Sequence, residues 1–595
     1  MRGARWRRTC AREALLVVLP GLVLGGPVAA RGDFGLSLAY VDPASPAFAR
    51  FRAWVDLALG GPPPYGFAAV DAAYVARVLG PGPGDAYCEL AVATVEAQVV
   101  EAEAAIALGQ IPPVAFDSYL EVGPMIGDLG VVYDWCAADT TPAQRARWAA
   151  YAEQAVWNVW HHDQASWGGT PHPWSGWATN DPGNNYHFSF LEATMSWGLA
   201  SDSAVWLDFL VQEKLPPLVA YFAQIPGGGS REGTGYGVAQ MRLFYLYRLW
   251  RDSTGEDLGA LSSHLADSID YWIHATVPAL DRYAPIGDLA RESYPWLYDY
   301  HRRLVLEARA MATDPALRER AAWWLHRISI DEMTSGFNLR HDLLPAGTVE
   351  AAPLALHHHS TGTGHLFARS SWQPDAVWAS FVAGPYDQSH AHQDQGAFNL
   401  FAGDFLAVTE NVLSHSGIQQ GSEVHNTLRF ERDGGIVGQH ESVSAMTVES
   451  AGGRTVAVGD LAAPFAGTGA VDAWQRRLEL DRNGLLVDDR FDAAADVTAY
   501  FQVQVPVEPV VEGGRVVAGD LVVVPVLPVG ATVSLLEWAS VDPGEFSSGW
   551  RIQIAGAGPG AATGERYVVR LQLPHVVFLD GFETGGVHAW TEAAP

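Results

Sequence analysis

The sequence predicts a multidomain protein, α then β: an N-terminal α/α toroid followed by an antiparallel β-sandwich. Three observations predict it. The chain has 595 residues, more than one hydrophobic core ordinarily organises. Hydrophobic residues make up 48% and charged residues 17%, enough apolar material for large cores and too much for a disordered chain. The apolar spacing is helical in the first half and turns to short β-type runs after about residue 350.

Taken in order, residues 1–30 place Arg2, Arg5, Arg7, Arg8 and Arg12 before an apolar run, 14–24, and end in Val28-Ala29-Ala30, the layout of a cleavable secretory signal. Pro20, Gly25 and Gly26 interrupt the run, so it is too short for a stable membrane anchor. Export to a periplasmic or extracellular space is therefore expected. Cys10 leaves with the signal, and a Cys88–Cys136 disulfide is permitted by an oxidising compartment, with two buried thiols the equal alternative.

Residues 31–350 form the predicted toroid. Helical periodicity covers 87–108, 142–160, 186–199, 236–250, 258–273 and 301–328, and the breakers Gly61-Pro62-Pro63-Pro64, Pro112-Pro113, Pro216-Pro217 and Gly227-Gly228-Gly229 separate them into hairpins. Paired helices suit a toroid, and a solenoid is the competing arrangement. Residues 351–575 form the predicted sandwich. Runs at 377–382, 397–401, 477–488, 497–505 and 520–526 alternate with turn signals such as Asn483-Gly484 and Glu512-Gly513-Gly514. His357-His358-His359 at the junction reads as a solvated linker rather than a metal tract. Residues 576–595 are a C-terminal tail without catalytic weight.

Acidic residues number 67 against 37 basic ones, and Lys214 is the only lysine, giving a net charge of -30. Such a field excludes nucleic acid as a partner, and any acidic ligand must be received by a local cluster of donors.

Three segments carry candidate chemistry. In Ser389-His390-Ala391-His392-Gln393-Asp394, alternate residues of an extended chain share a face, so His390, His392 and Asp394 can point into one site, with Asp394 expected to orient a neighbouring histidine or close a turn rather than to act in catalysis. Glu410 and His425-Asn426-Thr427 add ligand types, and a His/His/carboxylate set suits zinc better than calcium. In Asn180-Asp181-Pro182-Gly183-Asn184-Asn185-Tyr186-His187, a loop enters a helix; Asn184 can cap it while Asn185 and His187 stay near its positive end, and capping plus a core histidine is the plainer alternative. In Arg231-Glu232-Gly233-Thr234-Gly235-Tyr236, a tyrosine opens the next helix beside Arg231. Trp167, Trp174 and Trp177 precede the Asn-Asn-Tyr-His loop and can stack on sugar rings. Arg231, Arg291 and Arg369 can answer carboxylates or form ion pairs between domains.

These segments together resemble the heparinase II/III-like polysaccharide lyases, a family with an α/α toroid followed by an antiparallel β-sandwich. The likeness covers most of the chain. It is most specific in Gly364-His365-Leu366-Phe367-Ala368-Arg369-Ser370-Ser371-Trp372, the 390–398 run and His425-Asn426-Thr427, and looser in the two toroid loops. It implies cleavage of a uronate glycan, an acidic polysaccharide or oligosaccharide, by β-elimination: the C5 carboxylate is neutralised, the C5 proton removed and the leaving O4 protonated. By the resemblance Asn185, His187, Tyr236 and His390 are catalytic, with Asn185 and His187 at the carboxylate, Tyr236 as acid and, if its neighbours lower its pKa, also as base, and His390 contributed to the cleft by the sandwich. Asn184, Arg231 and Trp177 are expected to bind substrate. His392 and His425 match positions of a structural zinc, with no organic cofactor implied. Where the family commonly has an aspartate ligand, Thr409 stands here and Glu410 follows, so the set is complete only if Glu410 takes the place. A glycoside hydrolase using Asp181 and Glu232 as its carboxylate pair, or a non-catalytic glycan-binding surface protein, are the alternatives. The oligomeric state is not readable from the sequence.

Overall fold

The computed structural model describes residues 34–289, 294–349, 355–556 and 566–574; the expected signal, the tail from 576 and Arg291 lie outside the described residues. Helices fill the first part, and their starts follow local chemistry. Ser45 accepts from the Phe48 amide ahead of Pro46–Gly60. Thr141 and Gln144 form a capping box ahead of Pro142–Trp160, and Asp314 caps Pro315–Leu325. In all three, proline occupies the first helical position, where its missing N–H costs nothing.

The helix Asn185–Ala200 lies at the middle of this layer and is buried at every residue from His187 onward. A glycine stripe lets its neighbour Val122–Trp135 approach closely. A Cβ at Gly123 would meet Ser189 Oγ at 2.6 Å, and one at Gly130 would meet the Ser196 carbonyl at 3.1 Å. Gly123 N–H donates to Ser189 Oγ at 2.9 Å, fixing the register of the two helices. The pair Cys88–Cys136 is a disulfide with its Cα atoms 5.3 Å apart, tying Asp85–Ala107 to the end of Val122–Trp135. No described helix is long and apolar enough to cross a membrane.

The second part is antiparallel β-structure. The strands His357–Ser360, His365–Arg369, Trp378–Val382, Phe398–Ala402 and Asp404–Ala407 form one sheet in chain order. Its two faces serve two cores. Phe367, Trp378 and Phe401 pack into the helical core, while Leu366, Ala368, Phe381 and Leu400 pack into the sandwich core. Strict alternation is thus hidden under burial on both sides, which is why these strands read as continuous apolar runs. An eight-stranded sheet and a further five-stranded sheet complete the β part, the first organised around the Asn483-Gly484 hairpin between Val471–Asp481 and Gly484–Ala493. Its buried anchor is Arg476, bidentate to Asp489 at 2.7 Å.

Two sequence expectations change here. His357-His358-His359 is an edge strand rather than a solvated linker, with His358 Nε2–H donating to the Gly227 carbonyl at 2.7 Å. Arg369 is fully buried, and its Nη2 donates to the His274 and Thr276 carbonyls at 3.1 and 2.8 Å. It closes the C-terminal end of His264–Ala275, where a cation meets the unsatisfied carbonyls, and is not available to a ligand. Trp378 works beside it, donating its Nε1–H to the His274 carbonyl at 3.0 Å. The helical and β parts are therefore joined by a continuous apolar and hydrogen-bonded contact.

Candidate active site

The site is assembled where a glycine-rich loop of the helical part meets a strap at 284–289. Thr234 N–H donates to the Ile286 carbonyl at 2.8 Å, and Ile286 N–H donates to Thr234 Oγ1 at 3.1 Å. A side chain at Gly235 would collide with the Asp288 carbonyl, and one at Gly287, whose φ is +71°, would meet the Glu232 carbonyl at 2.5 Å and that of His390 at 2.8 Å. Glycine at both positions is what lets the loop, the strap and the sandwich loop touch. Tyr236 begins a short helical turn, Tyr236–Ala239, immediately after this contact.

From the sandwich, His390 lies face to face on the Tyr236 ring, with centroids 3.6 Å apart and planes 9° from parallel. His390 Nδ1–H donates to Asp288 Oδ2 at 2.8 Å, and His392 Nε2–H donates to Asp288 Oδ1 at 2.8 Å. One strap carboxylate therefore orients two histidines. Burial would raise the Asp288 carboxyl, but the hydrogen bonds from His390 and His392 outweigh it and hold it down at about 2. With Nδ1–H committed to Asp288, His390 presents the lone pair of Nε2, and its side chain keeps 22% of its surface exposed.

On the helix side, Asn184 caps Asn185–Ala200, its Oδ1 accepting from Tyr186 N–H at 3.0 Å, and its Nδ2 reaches Glu232 Oε1 at 3.5 Å. Both atoms of Asn184 are therefore engaged, and its place is structural. Asn185 Oδ1 and His187 Nε2 have no partner. His187 Nδ1–H donates to the Ala178 carbonyl at 3.0 Å, so the neutral ring presents a lone pair at Nε2. Burial pushes this ring down to about 4. Lys214 braces the same loop: its Nζ donates to the Thr179 carbonyl at 3.3 Å and Asn180 Oδ1 at 3.1 Å, and lies 4.3 Å from the Trp160 ring centre. Glu232, 1% exposed, lies between the two halves of the site. Burial, then the charges of Asp181 and Asp288, push its carboxyl up to about 8, so it is neutral at pH 7. Trp177 is 49% exposed one residue before Ala178, whereas Trp167 is buried.

Arg231 is not free for a ligand. It donates to Asp387 Oδ2 at 2.9 Å, the Gly362 carbonyl at 3.0 Å and the Gln224 carbonyl at 3.3 Å, which makes it a tie between helical loop and sandwich. Of the two roles expected of Asp394, orienting a histidine or closing a turn, it takes the second. It bonds neither histidine; the turn from Asp394 to Ala397 carries it away, and burial raises its carboxyl to about 7. The residue that does orient the histidines, Asp288, carries no motif in the sequence. Its only signal is a short Gly-Asp step in a loop, too common to single out.

No protein-family model matches the chain, and no curated protein matches it. Solved structures do. Heparan sulfate lyase HepC of Pedobacter heparinus superposes with a TM-score of 0.57 at 16% identity, over 91% of this chain and 85% of that one. Heparinase III gives 0.58 at 14% identity, over 87% and 77%. The chondroitin AC lyase of Streptomyces coelicolor A3, in complex with chondroitin sulphate, gives 0.52 at 12% identity, over 89% and 80%. The fold is that of the heparinase-type polysaccharide lyases.

In this heparinase-type fold two of the three zinc donors expected from the sequence come together and the third does not. His392 Nδ1 and His425 Nε2 face each other at 3.2 Å. Glu410, expected as third ligand, turns away: a Cβ at Gly549 would strike its carboxyl, whose Oε1 is buried without a partner and which burial raises to about 9. Thr409 donates its hydroxyl to the Val424 carbonyl at 3.1 Å and caps the next turn. Among the described residues no three His, Cys, Asp or Glu side chains are placed to share a metal ion. Two neutral nitrogens do not make the four-donor shell of a structural zinc.

Proposed function

We propose that the protein is an exported polysaccharide lyase that cleaves a uronate-containing glycan by β-elimination. The observation that carries the reading is the face-to-face Tyr236–His390 pair backed by Asp288, together with the unpartnered His187 Nε2 near the start of Asn185–Ala200. The fold shared with heparan sulfate and chondroitin lyases supports it.

Each residue has one task in the reaction. The C5 proton becomes acidic once its carboxylate is neutralised. His187 Nε2 offers a lone pair, not a positive charge, so it takes a proton from solvent as the carboxylate binds and shares it with one carboxylate oxygen, while Asn185 Nδ2–H donates to the other. His390, whose Nδ1–H is held by Asp288 so that Nε2 presents a lone pair, removes the C5 proton. The Tyr236 hydroxyl protonates the departing O4. The C5–H and C4–O4 bonds break, a C4–C5 double bond forms, and two proton transfers restore the ring and the phenol. Trp177 supplies an exposed face for a sugar beside Ala178.

Incubation with alginate, heparan-type, chondroitin-type and other uronate glycans should give a rise in ultraviolet absorbance from the unsaturated product. Folded protein that produces no rise on any uronate refutes the reading. His187→Ala should abolish the rise without unfolding the protein. The hydrolase reading finds less support: Glu232 is buried against Asn184 rather than facing Asp181 across an open cleft.

A further inference from the structure

We infer that His392 and His425 form a metal-free strut closed by a single hydrogen bond, and that the side chain at position 409 is what withholds a metal ion from it. The argument starts from donor directions. His392 Nε2–H is committed to the Asp288 carboxylate at 2.8 Å, so a neutral His392 presents a lone pair at Nδ1. His425 Nε2 stands 3.2 Å from that lone pair and satisfies it by donating its proton. The chain His425 to His392 to Asp288 is thus fully ordered, each ring donating to the next acceptor, and it ends on the carboxylate that also holds His390.

Spacing alone does not separate a proton from a metal ion, because two nitrogens about 2.0–2.1 Å from a tetrahedral zinc also sit about 3.3 Å apart. The number and charge of the donors decide. Both rings are buried, with side chains 3% exposed or less, so a divalent ion between them would need an anionic ligand to offset its desolvation. Position 409 adjoins the pair, since its hydroxyl bonds the carbonyl of Val424, the residue before His425. It is a threonine, and its oxygen is already used as donor to Val424 and acceptor from Asn411 N–H at 3.3 Å. Glu410 is directed at Gly549. The pair therefore has two neutral donors and no third. What an ion would do for the fold, clamping 390–392 to 422–426, the hydrogen bond does instead, and through Asp288 it extends the clamp to the strap of the helical part.

The test reads metal content and thermal midpoint on the full-length protein and does not depend on the lyase reading. Wild-type protein saturated with zinc and then dialysed should retain far less than one equivalent, and a chelator should leave its midpoint unchanged. Retention of one equivalent, with a midpoint that falls on chelation, overturns the inference. Thr409→Asp supplies the missing anion and should retain one zinc and gain several degrees on zinc addition; Thr409→His, a neutral donor, is the second variant should the aspartate prevent folding. If a folded variant carrying either donor retains no more zinc than wild type, position 409 is not what withholds the metal, and that half of the inference fails.

Discussion

Glu232→Gln tests the electrostatic logic of the site most directly. The substitution keeps the shape and the acceptor that Asn184 Nδ2 approaches, and removes only the ability to ionise. In the folded protein the Glu232 carboxyl is raised from 4.5 to about 8, by burial first and then by Asp181 and Asp288. A folded value above the unfolded one means that the native state binds the proton more tightly. The stability linked to this group is therefore fully present below 4.5 and is lost as pH rises toward 8. At about 1.4 kcal/mol per unit, wild type loses on the order of 3 kcal/mol between 4.5 and neutrality through this one carboxyl. Urea denaturation across that window should show a wild-type curve that declines by about this amount relative to Glu232→Gln. The same ionisation places a negative charge beside Asn184, the residue before Asn185, so wild-type KM should climb as pH rises above about 8 while the variant's climb is removed. Parallel stability curves together with identical alkaline limbs of kcat/KM would refute the placement of a neutral carboxyl in the site.

Three further outcomes follow from the geometry. Tyr236→Phe keeps the ring stack on His390 but removes the proton donor, so turnover should fall by about 10²–10⁴ with an unchanged thermal midpoint; a variant within a factor of a few of wild type refutes the acid assignment. Asp288→Asn can accept from one histidine only, because its NH₂ confronts the other N–H; kcat should drop roughly 10–100-fold with KM less affected, and an unchanged kcat would show that His390 needs no orienter. Replacing Cys88 and Cys136 by alanine opens a loop of 48 residues in sequence separation and should cost about 4 kcal/mol in urea denaturation, a reasoning that equal stability would sink.

The order of helices and strands was legible because its signals are local. Apolar periodicity, the prolines that open Pro46–Gly60, Pro142–Trp160 and Pro315–Leu325, and the Asn483-Gly484 turn act within a few residues, although the stretch expected as one helix over 301–328 is two, Asp299–Met311 and Pro315–Leu325. The candidate site was legible only in part, for a reason visible at Asp288. Its role depends on Gly235 and Gly287 letting two backbones touch, and on histidines about a hundred positions away, which no spacing within the strap announces. Arg231 shows the converse. A guanidinium beside a tyrosine looks available for a carboxylate until Asp387 and the Gly362 carbonyl, both distant in sequence, are seen to occupy it. Glu410 stood next to the expected ligand position, but the 3₁₀ turn Glu410–Leu413 rotates it toward Gly549.

An excess of 67 acidic over 37 basic residues sits awkwardly with a polyanionic substrate, and the site sharpens how the two are reconciled. Arg231 is tied to Asp387, and Lys214 to the loop carbonyl of Thr179, so neither cation is offered to a ligand. What remains is neutral: the His187 ring, the Asn185 amide and the protonated Glu232. Under the lyase reading, charge neutralisation then depends on a proton that His187 takes up from solvent as the carboxylate binds and that the two then share. A sulfate ester cannot share it, because it stays ionised near neutral pH. Under that reading the expected glycan is rich in uronate and poor in sulfate. Comparing kcat/KM for one glycan before and after chemical desulfation should show a gain on desulfation, larger at low ionic strength where repulsion by the acidic surface is least screened. A preference for the sulfated form would mean that a cation beyond Arg231 and Lys214 reaches the substrate.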